Sequence, residues 1–272
     1  MQTFNVNGAA LAGEEHGAGE LLILVHGAVG DFRSWENVVG ALAARYRVIT
    51  YSRRWHHPNI VPLGGEAYTA EGHTADLLAL VAACGGGPVR LLGHSYGAAI
   101  CAGLAAQRPD LVRSLVLGEP ALFALVLNHP HGAAALEQTA NLTQPVIPLL
   151  RQGQRERALR AFLRSVLGAA DQARLSERVL QVMLDNVPTL EPMLGGMRAG
   201  RLFTAQEAAL VRAPTLLVEG GQTGVLFQTV NEVLAAVLPH AHRAVVPNVG
   251  HALHLEDPAA FSQIALEFFA QH

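Results

Sequence analysis

One stretch constrains this chain more than any other: Val89-Arg90-Leu91-Leu92-Gly93-His94-Ser95-Tyr96-Gly97-Ala98-Ala99, an apolar run passing through Gly-x-Ser-x-Gly into a helix-forming segment. That order fits a strand turned abruptly onto the N-terminus of a helix, with the serine at the corner. The corner demands a strained backbone, and Gly93 and Gly97, two residues to either side of the serine, remove the Cβ atoms that would collide there. The hydroxyl of Ser95 is then expected to stand out of the sheet. The same turn puts the backbone N–H of Tyr96 at a helix N-terminus, where it can face an oxyanion forming on a substrate carbonyl.

The alternation around this turn predicts an α/β fold. Thr3 to Ala12 reads as two strands joined at Asn7-Gly8, a pair suited to the positive φ of a tight hairpin, and is expected at the antiparallel edge of the sheet. Leu21-Leu22-Ile23-Leu24-Val25 is apolar throughout, as befits a strand buried on both faces, and it ends in His26-Gly27-Ala28. Ser34 is expected to cap a helix running to about Arg45, followed by a strand Val48–Tyr51, a long loop from Ser52 to Ala67 and a helix from Glu71 to Cys84. After the serine turn, Leu115-Val116-Leu117 delivers Gly118-Glu119-Pro120 at a strand's carboxyl end. Alternating strands and helices imply a parallel sheet with its ligand crevice at those carboxyl ends, where His26, Ser95 and Glu119 all fall.

From about Phe123 to Leu202 the alternation stops, and helices are expected over Gly132–Thr143, Glu156–Leu167, Ser176–Asn186 and Glu191–Arg201. This is read as a helical cap over the crevice, with the arginines of 151–201 on its solvated face. The alternation resumes with Pro214–Val218, a helix over Val225–Leu238 and a last strand Arg243–Val246. Pro247-Asn248-Val249-Gly250-His251 then leads to Asp257-Pro258, an N-cap followed by proline at the first helical position.

Composition narrows the chemistry. The 272 residues suffice for one domain with an insertion, and 50% apolar against 15% charged residues describes a packed globule. A formal charge of −3 leaves no broad electropositive surface, so neither nucleic acid nor an anionic membrane is expected as a partner. All 19 basic residues are arginine. A chain without lysine cannot form a Schiff base, anchor pyridoxal phosphate, use a Ser–Lys dyad or fill the lysine position of a P-loop. Two cysteines, Cys84 and Cys101, make no disulfide framework, and neither a signal-peptide pattern nor an apolar run of spanning length occurs, so a cytoplasmic location is expected.

Three motifs, His26-Gly27 with Trp35 downstream, Gly93-His94-Ser95-Tyr96-Gly97 and Asn248-Val249-Gly250-His251, stand in an order and spacing that resembles the α/β-hydrolase superfamily across nearly the whole chain, the cap excepted. The resemblance implies a mostly parallel eight-stranded sheet flanked by helices, a core of residues 1–122 and 203–272, and an inserted cap of residues 123–202. It implies Ser95 as nucleophile, His251 as general base, and the backbone N–H groups of Ala28 and Tyr96 as the oxyanion hole.

The sequence departs from the family pattern at the third catalytic member. The family's acid usually follows the strand written here Leu216-Leu217-Val218, in a Gly-x-x-Asp turn, but the chain reads Gly220-Gly221-Gln222-Thr223. Some branches, hydrolases resembling zearalenone lactonase among them, place a glutamate after the strand that follows the serine helix, and Glu119 occupies that place. Glu119 is therefore expected as the acid, with Glu219 as the alternative. The resemblance implies a hydrolase of the serine esterase or lactonase type acting on a small, largely apolar ester or lactone, needing no cofactor and no metal, as a monomer or homodimer. Acyl transfer, C–C hydrolysis and a ligand-binding protein with a decayed triad remain as alternatives. The histidine pairs His56-His57, His129/His131, His240/His242 and His251/His254 lack a second ligand cluster at metal-site spacing. His94 is expected to shape the turn, His254 to pack, and the loop residues Arg53 to His57 either to line the pocket mouth or to face solvent.

Overall fold

A computed structural model describes residues 1–59, 68–171, 175–199 and 203–272. Eight strands form one sheet: β1 (Gln2–Val6), β2 (Ala9–His16), β3 (Leu21–Val25), β4 (Arg47–Tyr51), β5 (Val89–His94), β6 (Val112–Gly118), β7 (Thr215–Gly220) and β8 (Ala241–Val246). Their order across the sheet is β1-β2-β4-β3-β5-β6-β7-β8. The Asn7-Gly8 hairpin sets β1 and β2 antiparallel at one edge, with φ of 51° and 74° at the two turn residues, and every pair from β4 to β8 is parallel.

Period-two alternation divides the core into two layers. Ile23, Val25, Ile49, Leu91, Leu115 and Leu117 face one side of the sheet. Leu22, Leu24, Val48, Leu92, Val116 and Leu216 face the other. The first layer is covered by α2 (Ala70–Ala83), α3 (Tyr96–Gln107) and α10 (Val225–Val237), and the second by α1 (Val39–Ala43) and α12 (Pro258–Gln271). Helix α3 runs through the centre, which is why Ala98, Ile100, Cys101, Leu104 and Ala105 are buried around its whole circumference. Full burial of each larger side chain there contributes about 1.5–3 kcal/mol.

Between β6 and β7 the described chain contains no strand. It passes through α4 (Pro130–Thr143), α5 (Val146–Arg151), α6 (Arg155–Asp171), α7 (Glu177–Asn186), α8 (Leu190–Ala199) and the single turn α9 (Ala205–Ala208). Arg151, Arg155, Arg157, Arg160, Arg164 and Arg178 are exposed, those on α6 and α7 as their spacing against the apolar stripe predicts. Helix α5 is absent from the sequence expectation, because Val-Ile-Pro-Leu-Leu-Arg is too short to display a helical period. A short helix, α11 (Leu253–Glu256), precedes α12, whose start is capped by Asp257 accepting from the Ala260 N–H at 2.9 Å.

The expected helix from Ser34 to Arg45 is corrected. A short 3-10 turn spans Phe32–Trp35 and α1 begins only at Val39. Asp31 is the cap: its carboxylate accepts from the Arg33 N–H, while Ser34 returns a bond to the Asp31 N–H. A buried aspartate outcompetes a serine for the cap position, and Ser34 takes the reciprocal place of a capping box. The loop expected from Ser52 to Ala67 is described only through Asn59, and residues 60–67, like 200–202 at the end of the expected cap, lie outside the described residues.

Candidate active site

Strand β5 delivers Ser95 at φ 53° and ψ −117°, the first residue beyond the sheet and the N-cap of α3. Both flanking glycines are obligatory. A Cβ on Gly93 would stand 2.6 Å from the Ala98 Cα, and one on Gly97 would run into the Val25 carbonyl. The turn is held by the Ser95 N–H donating to the Gly118 carbonyl at 2.8 Å, and by the Ser95 carbonyl accepting from Ala121 N–H at 3.1 Å. Those two bonds fix the ends of β5 and β6 relative to each other, and so fix Ser95 relative to Glu119.

Ser95, His251 and Glu119 meet in one hydrogen-bonded line. His251 Nε2 is 3.1 Å from Ser95 Oγ, and its Nδ1 is 2.5 Å from Glu119 Oε2. Glu119 is fully buried at 0% exposure and φ 45°. Its Oε1 accepts from the Gly220 N–H at 2.8 Å and its Oε2 also accepts from the Thr223 hydroxyl at 2.8 Å. The turn in which the family usually carries its acid thus supplies two donors to an acid that comes from β6.

Glu219, the alternative, points elsewhere: its carboxylate accepts from Asn231 at 3.2 Å and from Arg243 at 3.4 Å. Period-two alternation along β7 explains this, since the residue next to Gly220 faces the opposite side of the sheet from the turn that meets His251.

Burial disfavours charge on both members of the pair. It pulls His251 down to about 3 and pushes Glu119 up to about 7, the latter against the Gly220 N–H and the Thr223 hydroxyl, which favour the carboxylate. With the imidazole neutral and its Nδ1–H donated to Glu119 Oε2, the Nε2 lone pair is directed at the Ser95 hydroxyl. Phe227 stacks on the imidazole at 3.8 Å between centroids and 19° between planes, and shields it from water. His94 donates from Nε2 to the His251 carbonyl at 2.8 Å, so it fixes the backbone of the last loop. His254 packs between Trp35 and His94, at 4.6 and 4.4 Å between ring centroids.

Arg53 takes neither of the two places the sequence left open for its loop. It is 1% exposed and lies behind the turn at Gly27. Its guanidinium donates to the Tyr68 hydroxyl at 2.9 Å, the Gly27 carbonyl at 2.9 Å and the His26 carbonyl at 3.2 Å. The Arg53 N–H donates to His26 Nε2 at 3.0 Å, which leaves the His26 proton on Nδ1 to reach the Gly27 carbonyl at 2.9 Å. In a trans peptide the N–H points away from its carbonyl, so drawing the Gly27 oxygen toward Arg53 turns the Ala28 N–H the other way. Ala28 lies beside Ser95 in the walls of both cavities that reach the serine. Arg54 and His56 are buried too, Arg54 in a two-bond pair with Asp76 at 2.8 and 2.7 Å. No periodic signal marks Arg53 or Phe227 in the sequence: each is one residue in a loop or helix whose partners come from distant strands.

Among the described residues, no group of three His, Cys, Asp or Glu side chains is disposed to hold a metal ion, and no helix is long and apolar enough to cross a membrane. Two cavities meet at Ser95. One, of about 60 Å³, includes His251, His94, Ala252 and Leu255 in its wall; the other, of about 290 Å³, includes Tyr96, Phe123, Leu136, Met193 and Phe227.

Residues 20–258 match the profile of the alpha/beta hydrolase fold. The chain is 30% identical over 178 residues to the uncharacterized hydrolase YraK of Bacillus subtilis, covering 65% of this chain and 62% of that one, so the match spans under two thirds of that relative's length. It is 26% identical to the putative carbamate hydrolase RutD of Pseudomonas savastanoi, over 93% of this chain and 95% of the relative. Among solved structures, a thermophilic esterase from Thermogutta terrifontis superposes with a TM-score of 0.81 at 21% identity, covering 99% of this chain and 97% of that one. The enol-lactonase of Burkholderia xenovorans does so with a TM-score of 0.76 at 20% identity, covering 98% and 99%.

Proposed function

The chain belongs to the alpha/beta hydrolase fold family, and from that premise we propose that it is a serine hydrolase cleaving a small, largely apolar carboxylic ester or lactone through an acyl-enzyme. The observation that carries this reading is the unbroken line Glu119–His251–Ser95, at 2.5 and 3.1 Å, ending on a hydroxyl at the junction of two cavities. Buried groups with perturbed proton affinity, aligned through hydrogen bonds onto a strained serine in a cleft, are the pattern of an acid–base site and support catalysis over simple binding.

In the first half-reaction Ser95 Oγ attacks the acyl carbon as its proton passes to His251 Nε2. The carbonyl oxygen becomes an oxyanion, received by the N–H groups of Ala28 and Tyr96, the second reinforced by the N-terminus of α3. Glu119 stabilises the imidazolium that forms and holds its tautomer. The imidazolium then protonates the leaving alkoxide. In the second half-reaction His251 takes a proton from water as the water oxygen attacks the acyl carbon, and collapse of that intermediate breaks the bond to Ser95 Oγ, which recovers the proton from His251 as the carboxylic acid leaves. The residues supply the whole reaction, and no metal or organic cofactor enters any step.

A fluorophosphonate probe tests the reading. Labelling should map by peptide analysis to Ser95 and be lost in Ser95→Ala, and short-chain ester hydrolysis should be lost with it. An unlabelled wild-type protein that hydrolyses no ester would sink the proposal.

A further inference from the structure

We infer that the two cavities at Ser95 divide the substrate, and that the preferred substrate is an ester joining an extended, uncharged acyl chain to a small alcohol. This rests on the serine-hydrolase reading above. His251 fixes the polarity of the site. When the tetrahedral intermediate collapses, the bond from the acyl carbon to the alcohol oxygen breaks, and the proton that left Ser95 Oγ passes from His251 Nε2 to that oxygen. The alcohol therefore departs on the side of the imidazole, and the acyl chain, bonded to Ser95 Oγ, occupies the other side.

The cavity whose wall includes His251 is the narrow one, about 60 Å³, against about 290 Å³ for the cavity that has Tyr96 but not His251 in its wall. The narrow lobe has about a fifth of the room of the wide one, so the shorter half of the ester belongs on the imidazole side and the longer half in the wide lobe. A short alcohol matches the first and a longer, chain-like acyl group the second.

The linings agree with that division. In the wide lobe Leu136, Thr139, Ala140 and Thr143 repeat at three- and four-residue spacing on one face of α4, opposite Phe123 and Phe227. No charged side chain of a described residue lines it, so a carboxylate or ammonium at the chain end would lose its hydration without a partner. Two charged side chains line the narrow lobe, Glu36 and Arg33, and the Arg33 guanidinium is already engaged by Asp31 at 3.0 and 2.6 Å and by Asp185 at 2.8 Å. A charge so occupied does not recruit an anionic leaving group.

Ethyl octanoate and octyl acetate contain the same atoms and differ only in which side of the ester carries the chain. Purified full-length protein should hydrolyse ethyl octanoate with a kcat/KM at least tenfold above that for octyl acetate. Equal rates, or a preference for octyl acetate, overturn the assignment of the lobes while leaving the serine-hydrolase reading intact. If neither ester is cleaved by protein whose Ser95 reacts with a fluorophosphonate, the acyl-chain assignment fails alone; if Ser95 is also unreactive, both readings fail. Leu136→Trp, which fills the wide lobe from α4, provides the second measurement. It should lower kcat/KM for ethyl octanoate relative to ethyl butanoate tenfold or more, and an unchanged ratio places the chain elsewhere.

Discussion

The Thr223 hydroxyl donates to Glu119 Oε2 at 2.8 Å, so the residue standing where the family usually has its acid instead holds a carboxylate that follows β6. The bond favours the ionised carboxylate against the burial that pushes Glu119 up to about 7. Thr223→Val removes that donor and lets burial raise Glu119 further. A protonated Glu119 cannot stabilise imidazolium, so kcat/KM at neutral pH should fall about tenfold, in line with roughly 1.5–3 kcal/mol for a hydrogen bond to a charged group. The rising limb of the pH profile should move to higher pH, and the deficit should shrink in alkaline buffer. A uniform loss across the profile would give Thr223 a merely structural part.

Glu119→Gln preserves shape and removes charge, and should cost roughly a thousandfold or more in turnover, as loss of the acid does in serine proteases. Glu219→Gln should change turnover less than about threefold, since its partners are Asn231 and Arg243. Because Thr223 Oγ1 lies within hydrogen-bond distance of the oxygen that meets His251, Thr223→Asp added to Glu119→Gln should recover at least tenfold of the loss. Steady-state kinetics of the three variants decide the matter, and equal effects of the two single substitutions would remove Glu119 from its proposed place.

Ser95→Ala and His251→Ala should each abolish most ester hydrolysis, and the double variant should be little worse than either. Groups that act in one step do not multiply their penalties. Multiplicative losses in kcat would mean that the two residues serve separate steps.

Arg53→Met keeps most of the side-chain volume while releasing the Gly27 carbonyl, and should depress kcat by one to two orders of magnitude with little change in KM. Tyr68→Phe removes one acceptor of the same guanidinium and leaves the Gly27 bond in place, so its effect should be much smaller. The informative comparison is binding of a boronic acid, which engages the oxyanion site, against binding of an inert substrate analogue. Only the former should weaken.

Six histidines are buried with their proton affinity lowered, chiefly by burial: His26, His56, His73, His94, His251 and His254. Each has a folded-state value below its unfolded one, so below about pH 6.5 the unfolded chain binds protons that the folded chain refuses, and stability falls as pH falls. One such group contributes up to roughly 1.4 kcal/mol per pH unit in that range. Several together should bring unfolding within about two units below pH 6.5, given typical net stabilities. Glu119 works against this between its unfolded value, about 4.5, and about 7, but it is one group against six. Urea midpoints measured from pH 5 to 8 should rise steeply to about 6.5 and then level; a flat profile would contradict the buried neutral assignment.

Much of this was readable in the chain itself, for reasons that differ by residue. Ser95 and the sheet around it were legible because Gly93 and Gly97 serve a local steric need, and because β3 and β5 are apolar enough to admit only burial on both faces. Glu119 was preferred over Glu219 only through a family resemblance, since the geometry depends on which face of β7 meets the loop before His251, and that is set by packing between strands. The two lobes were invisible: their walls draw Ala28, Phe162 and Val166 from segments far apart in the chain. Arg53 was unreadable because an arginine in a loop is ordinarily solvated, and here neutral carbonyls and ring faces replace the water.

Val29, Trp55, Ser95, Glu119 and Asn248 share positive φ, at 49°, 69°, 53°, 45° and 62°, and each follows the carboxyl end of a parallel strand. Such conformations cost on the order of 1–3 kcal/mol apiece in a residue other than glycine, asparagine the least. Glycine would relieve them, yet the side chains of Ser95 and Glu119 meet His251 and those of Val29 and Trp55 pack against the core. Thermostabilising redesign therefore has little to gain along that rim. It should look to the opposite, amino-terminal edge of the sheet, where loops can be shortened or given proline without disturbing the groups that face Ser95.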